Sequence, residues 1–461
     1  MSFPGRWLLA LTMRARGSQV LRVLEQITPA PFADPQQVQA RQWRRLQALL
    51  EHAEKHVPYY REMFRSAGLT SPDIRRPRDF AALPVLTKDI VRARLRDLVR
   101  DDVPLDRLYV HHSGGSTGVP LSFYRDRDYI DASEAGVYRN LLQCGWKPGE
   151  MIAFFWGGNE KLYALPRWEF ELRQRVRRMY QFDPFFSGEE DLGRWLRQWK
   201  RLRFRAALGY ASTLARFAHY VESTGRRLPP LRGVFTTAEK LYAPQRQILT
   251  RVFGCRVYDC YGSAEVQNIA AECPRGRMHV NADYVVLEVD RTGAAPGEPA
   301  PFLLTSLWNY AMPFIRYRNE DCGELEEGPC DCGNHFPLMK LKIARESDNF
   351  VMPSGRVIHG EFFTHLLYGS QGIARFQFHQ TAPDAITLWV APGPGEAEAR
   401  AAAIRRAVEQ VEALDAAGRL RVTVRETEAI PLSAAGKHRF TRSDVPAGPS
   451  GGPPGTVATA P

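Results

Sequence analysis

The sequence predicts an α/β protein: a large, layered N-terminal α/β domain of several subdomains on mostly parallel sheets, followed by a small α+β C-terminal domain. Three observations predict it. The chain has 461 residues, more than one hydrophobic core usually serves. From about residue 150 short apolar runs alternate with helical patterns, the texture of parallel βαβ units. Past about residue 344 that alternation gives way to paired strand-like runs around an alanine-rich helix.

Residues 37–55 read as a helix because Val38, Trp43, Leu46, Leu50 and Ala53 fall near one face, and Pro58 stops it. The runs 151–156, 206–210, 233–237 and 256–261 predict strands, and 285–289 and 302–307 two more. Leu192, Trp195, Leu196, Trp199 and Leu202 recur at helical spacing, with arginines on the other face. Farther on, 375–380, 386–391 and 420–425 predict strands and 396–414 a helix, with Ile404, Val408 and Val411 on one side. After about 444 the chain is Pro, Gly, Ser and Ala, which predicts a disordered tail. The expected division is a helical region over 1–100, a core over 101–343, a C-terminal unit over 344–443 and a tail over 444–461.

With 44% hydrophobic and 25% charged residues the composition is that of a soluble globular protein. No run of about 18 apolar residues predicts a membrane span. The apolar stretch Trp7-Leu8-Leu9-Ala10-Leu11 is cut off by Arg14 and Arg16 and lacks a cleavage site, so a cytoplasmic protein is expected. A net charge of +11 suits nucleic acid, a membrane surface or a phosphate-rich small molecule. Seven cysteines, an odd number, argue against a disulfide framework and for reduced thiols, some on a metal.

Two local patterns carry chemistry. Ser113-Gly114-Gly115-Ser116-Thr117-Gly118-Val119-Pro120 is glycine-rich with hydroxyl donors, able to cradle phosphate on backbone N–H groups. It is neither a Walker A loop nor G-x-G-x-x-G, and a plain hairpin turn accounts for it equally well. Cys273-x5-His279 and Cys330-Asp331-Cys332 form two tight pairs that suit a structural Zn²⁺ with three thiolates and one imidazole. Four unrelated residues is the alternative. Cys322 is a further candidate ligand and His335 a substitute for His279; Cys144, Cys255 and Cys260 read as core residues, and a packing or surface role suits His111 and His112.

The glycine-rich loop resembles the signature of the adenylate-forming superfamily of acyl-CoA ligases, peptide-synthetase adenylation domains and luciferases. The family often has Lys after the Pro; here Leu121 stands there, as is common in the phenylacetate–coenzyme A ligase branch and its capsule-polysaccharide-biosynthesis relatives. Thr237-Ala238-Glu239-Lys240 resembles the adenine-contacting turn. Tyr258-Asp259-Cys260-Tyr261-Gly262-Ser263-Ala264-Glu265 resembles the segment in which Tyr261 would stack on adenine and Glu265 would hold Mg²⁺. Arg316-Tyr317-Arg318-Asn319-Glu320-Asp321 resembles Tyr-Arg-Thr-Gly-Asp, with Asp321 on the ribose and Asn319-Glu320 in place of Thr-Gly. Ala344-Arg345-Glu346-Ser347-Asp348 resembles the hinge, with Arg345 at the ribose. Residues 431–437 resemble the C-terminal catalytic loop, in which Lys437 would bridge carboxylate and α-phosphate.

The resemblance implies activation of a carboxylic acid by ATP and Mg²⁺ as an acyl-AMP. Lys437, Glu265 and Thr117 would be catalytic, and a mobile C-terminal unit would then admit coenzyme A for thioester formation. An amine, a carrier-protein thiol or a sugar hydroxyl could replace coenzyme A as acceptor, and a non-catalytic, zinc-stabilised basic binding protein is a reading from another class. Phe154, Phe155, Trp156 and Tyr210 lean towards an aromatic or long apolar acid. No nucleic-acid partner is expected, and a homodimer is compatible with the sequence.

Overall fold

The computed structural model describes residues 4–112, 121–156, 165–182, 189–238, 240–292, 300–342, 350–354, 357–358, 363, 366–367, 370–393, 396–415, 417–428, 430 and 439–445. Six helices open the chain: α1 (Pro4–Ala15), α2 (Val20–Ile27), α3 (Pro35–His56), α4 (Pro58–Ala67), α5 (Pro77–Ala81) and α6 (Lys88–Ala93). The junctions follow from local chemistry. The Asp34 side chain accepts from the Gln36 N–H and Pro35 opens α3. Val57 is extended (ψ 111°), as a residue before proline must be, so α3 ends there and Pro58 starts α4.

A two-stranded antiparallel ribbon follows, β1 (Tyr109–His112) and β2 (Ser122–Arg125), then helix α7 (Arg127–Leu142), capped by Asp126. The βα alternation then builds β3 (Met151–Phe155), α8 (Arg167–Arg177), β4 (Met179–Phe182), α9 (Glu189–Arg201), β5 (Phe204–Tyr210), α10 (Ala211–Ser223), β6 (Gly233–Thr237), α11 (Ala243–Phe253) and β7 (Arg256–Tyr261). These five strands pair in parallel in the order β4-β3-β5-β6-β7.

Past β7 no helix separates the strands among the described residues, and neighbours pair by turning back antiparallel. β8 (Ala270–Glu272), β9 (Met278–Val280), β10 (Val285–Val289), β11 (Ala300–Ser306), β12 (Tyr317–Glu326) and β13 (Leu338–Lys342) extend the same sheet in the order β7-β8-β9-β13-β12-β11-β10. The result is one mixed sheet of eleven strands, parallel in one half and antiparallel in the other. The span 273–332, expected from its two Cys/His pairs to be a zinc-binding insertion, carries all of β9 to β12, and so belongs to the sheet itself.

Helices α9, α10 and α11 cover one face of the parallel half, where Phe155, Trp199 and Phe217 are buried. α1, α2 and α7 cover the other, around Tyr138, Trp146 and Phe235. Trp199 lies within 4.8–6.2 Å of the Phe155, Phe182, Phe204, Phe217 and Phe253 ring centroids. Truncating such a side chain to alanine costs about 3–5 kcal/mol. The third core joins α3, α4, the ribbon and the antiparallel half through Tyr60, Phe64, Phe123, Phe314 and Tyr317.

Beyond residue 349, β14 (Phe350–Val351) pairs with β15 (Val357–Ile358). β16 (Ile373–Ala382), β17 (Ala385–Pro392), β18 (Arg421–Glu426) and β19 (Thr441–Ser443) form a second sheet, order β18-β17-β16-β19. Helix α12 (Ala397–Glu412) packs Ile404, Ala407 and Val411 with Phe376, Phe378, Leu388 and Val390. No helix among the described residues is long and apolar enough to cross a membrane.

Candidate active site and metal centre

The residues with nucleotide-site resemblance gather where β6 and β7 end, at the carboxyl edge of the parallel half, where open α/β sheets bind ligands. Ala238 follows β6 with φ +67°, a left-handed conformation costing about 1–2 kcal/mol for a residue with a Cβ. Tyr261 closes β7, and its hydroxyl donates to Asp321 Oδ2 at 2.8 Å. Asn319 Nδ2 donates to the Tyr261 hydroxyl at 2.7 Å and to Asp321 Oδ2 at 3.1 Å. All three are buried. The ring of Tyr261 is thereby fixed, and Asp321 is fastened to it through one oxygen.

Gly262 begins the turn after β7. Its neighbours close it: Ser263 N–H donates to the Val266 carbonyl at 2.9 Å, and Val266 N–H to Ser263 Oγ at 3.0 Å. Glu265 is thereby pointed inward, 6% exposed, and its Oε1 accepts from the Tyr317 hydroxyl at 3.2 Å. A buried carboxylate needs donors or a counter-charge. That single phenol is a thin supply, and the arrangement fits a hard cation such as Mg²⁺.

Tyr317 and Asn319 were not singled out as site residues by the sequence. Both lie on β12 in step with Asp321, at spacings of two, so a period-two reading outward from Asp321 identifies them. Asn319, which departs from the family pattern, is here the bridge between the tyrosine and the aspartate.

Several expected site residues lie outside the described residues: Ser113, Gly114, Gly115, Ser116, Thr117, Gly118, Glu239, Arg345 and Lys437. The flanks are informative. The ribbon holds His112 opposite Ser122, on either side of the glycine-rich segment in sequence. Leu121, at the position where the family often has lysine, is 2% exposed and part of the large core, no place for an ammonium. Tyr242 and Phe440, each three residues beyond one of these motif residues (Glu239 and Lys437), meet edge to face with centroids 6.0 Å apart. The C-terminal unit therefore touches the main body beside the β6 turn.

Asp259, two residues before Tyr261, is half-buried, with its carboxyl group largely shielded from water. Burial pushes its pKa up to about 7, although the Thr236 hydroxyl donates to it at 2.9 Å; Glu272 nearby adds repulsion. The folded chain thus keeps a proton there that the unfolded chain loses near pH 4, and stability falls as pH rises through roughly 4–7. Asp259→Asn, which preserves the acceptor oxygen, is expected to flatten the fall in thermal midpoint over that window. At pH 8 it should raise stability by about 2–4 kcal/mol. Parallel pH profiles of variant and parent would refute the buried proton.

The four candidate metal ligands converge. Cys273 ends the β8 edge, His279 sits in β9, and Cys330 and Cys332 lie in the turn before β13. Their ligand atoms all lie within 4.8 Å of one another. Cys273 Sγ is 3.7 Å from Cys330 Sγ, and Cys332 Sγ is 3.4 Å from His279 Nε2. Thiolates at 2.3 Å from a tetrahedral ion would be about 3.8 Å apart, so the donor set fits Zn²⁺. The other ring nitrogen, His279 Nδ1, lies 3.0 Å from the Phe336 carbonyl, an orientation that presents Nε2 to a metal. Backbone N–H groups of Arg275 and Asn334 donate to the Cys273 and Cys332 sulfurs, and Gly276 (φ +81°) and Gly333 (φ +78°) supply the tight turns. His335 instead turns to the Ala33 carbonyl at 2.8 Å, and Cys322 lies on β12 opposite Lys342 of β13 and Pro301 of β11, so neither joins the cluster.

Comparison with known proteins agrees with this geometry. The chain is 29% identical over 328 residues to phenylacetate-coenzyme A ligase of Escherichia coli (strain K12), covering 66% of this chain and 70% of that protein. It is 23% identical over 361 residues to protein CapK of Staphylococcus aureus, covering 75% and 77%. These relatives place the resemblance in the phenylacetate–coenzyme A ligase branch of the adenylate-forming superfamily of AMP-forming ligases. No protein-family model matches this chain. The fold is shared with a 2-hydroxyisobutyryl-CoA ligase solved in the postadenylation state with R3-HIB-AMP. That match has a TM-score of 0.68 and 20% identity, over 90% of this chain and 91% of that one.

Proposed function

We propose that the protein uses ATP to activate a carboxylic acid as an acyl-AMP and then transfers the acyl group to coenzyme A. The observation that carries this reading is the joined Tyr261–Asn319–Asp321 group beside buried Glu265, at the carboxyl edge of the parallel strands. Adenine stacks on the fixed Tyr261 ring against the Ala238-Glu239 turn and Gly262, and Asp321, with Arg345, receives the ribose hydroxyls. The backbone of Ser113 to Gly118 cradles the phosphates, with Thr117 donating its hydroxyl. Mg²⁺, held by Glu265, would neutralise phosphate charge. The acid's carboxylate attacks the α-phosphorus in line, the bond to the bridging oxygen breaks, and pyrophosphate leaves. Lys437 meets the charge that grows on the α-phosphate. The thiol then attacks the acyl carbon and AMP departs.

The acid is apolar, on this reading aromatic. Trp156 stacks on Tyr210 with centroids 4.6 Å apart and on Phe154 at 5.6 Å, both at the carboxyl ends of β3 and β5, while Phe155 faces the core. The Cys/His cluster holds a structural Zn²⁺, since four protein ligands close the shell.

Acid-dependent ATP–pyrophosphate exchange over a panel of aryl and alkyl acids tests the proposal, and mass spectrometry of the products identifies the acceptor. Exchange is expected with aryl acids. Trp156→Ala should raise KM for them about three- to tenfold, the worth of one aromatic stack. No exchange with any acid, together with no ATP-dependent thermal shift, would leave the non-catalytic binding protein as the better reading.

A further inference from the structure

The exposed apolar side chains are not scattered. Among the described residues eleven large apolar side chains are exposed, and five of them sit on two helices: Trp7, Leu8 and Leu11 on α1, Trp168 and Leu172 on α8. Trp7 and Trp168 leave 69% and 70% of their surface open. The helices pack together. Their shared corner is fixed by Gly149, which lies against the Gly5–Arg6 backbone and whose carbonyl accepts from Arg178 Nε at 2.7 Å, just beyond α8. The opposite side of α1 is accounted for, because Leu9 and Met13 fill the core beneath. Trp7 with Leu11, and Trp168 with Leu172, are four apart, so each helix turns an apolar stripe outward where a solvent face should be polar.

The surroundings are strongly basic. Residues 4–16 and 166–178 hold eight arginines against two glutamates, a surplus of six positive charges out of the chain's net +11. One of the glutamates, Glu169, is already paired with Arg173 at 2.6 Å. We propose that this α1–α8 face docks on an anionic lipid surface. The indoles and leucines enter the headgroup boundary, and the arginines stay at the phosphate level. Charge selects this occupant. A second copy would set two surpluses of six against each other, and the aliphatic Leu8, Leu11 and Leu172 interleaved with the indoles suit a headgroup boundary rather than a run of stacked bases. Docking is reversible and peripheral, and it stands independently of the acyl-transfer reading.

Cosedimentation of the full chain with vesicles tests it. One set contains equal parts phosphatidylglycerol and phosphatidylcholine, the other phosphatidylcholine alone, each at about 0.05 M and 0.5 M salt, where screening differs strongly. Binding is expected only to the anionic vesicles, at least about tenfold weaker at high salt. The double variant Trp7→Ser, Trp168→Ser should lose it while keeping the parent's unfolding midpoint and ATP consumption. Three results would overturn the proposal. The anionic vesicles could fail to bind, or the double variant could bind them as the parent does. The substitutions could also convert a dimer to a monomer, which would assign the face to a second copy.

Discussion

Lys437→Ala is expected to lower acid-dependent ATP–pyrophosphate exchange by at least about a hundredfold, with the folded state intact. The reason is electrostatic. Negative charge builds on the α-phosphate as the carboxylate attacks, and a positioned donor at such a centre is worth about 10²–10³ in rate. The residue follows a glycine in a segment that ends at Phe440, which the structure sets against Tyr242. No packing role among the described residues depends on it, so the unfolding midpoint should stay near the parent's. The variant should still convert supplied acyl-AMP and coenzyme A to thioester, because on this reading the C-terminal unit has withdrawn Lys437 from the phosphate before the thiol attacks. Exchange at the parent's rate in Lys437→Ala would remove the lysine from the adenylation step.

What the sequence made legible follows from how locally each feature is encoded. β6, β7 and β10 have the bounds their apolar runs predict, since a short run flanked by helices or turns leaves little room for another assignment. The antiparallel half was harder. β8 and β9 are three residues each and carry no alternation long enough to read. What defines them is pairing with distant strands, which depends on residues far away in the chain. The same holds inside the site. Tyr261, Glu265 and Asp321 announce themselves through motif resemblance, whereas Asn319 looks like damage to a motif until Tyr261 and Asp321 are seen to share it. Asp259 carries no signal of its own in the sequence beyond its place beside Tyr261. Its buried proton depends on Thr236 and Glu272, residues brought to it by the sheet.

The exposed stripe is the opposite case. The run from Trp7 to Leu11 was plain in the sequence and was read only as too short for a signal peptide. Its partner at Trp168 and Leu172 lies about 160 residues away on another helix. Only packing of α1 on α8 turns two ordinary amphipathic segments into one continuous surface.

Loss of the metal centre is expected to give the second large effect, because the cluster stands at the weakest seam of the large sheet. The parallel and antiparallel halves meet through β7, β8, β9 and β13. Along that seam β7 and β8 register over two residue pairs, β8 and β9 over three, and β9 and β13 over two. Ladders so short contribute little cohesion. Cys273 and His279 hold the β8–β9 hairpin, Cys330 and Cys332 the turn entering β13, and one ion would tie them together. The purified protein should therefore contain about one zinc per chain. The double variant Cys330→Ser, Cys332→Ser should lose the zinc and at least about 3 kcal/mol of stability, since binding free energy at such a site is folding free energy. For a unit of this size that lowers the unfolding midpoint by about 4 °C or more. Tyr261 closes the strand on this seam, so ATP affinity should fall with the metal and return when zinc is restored to the chelator-treated parent. A zinc-free parent protein with an unchanged midpoint would show that the four ligands meet without a structural task.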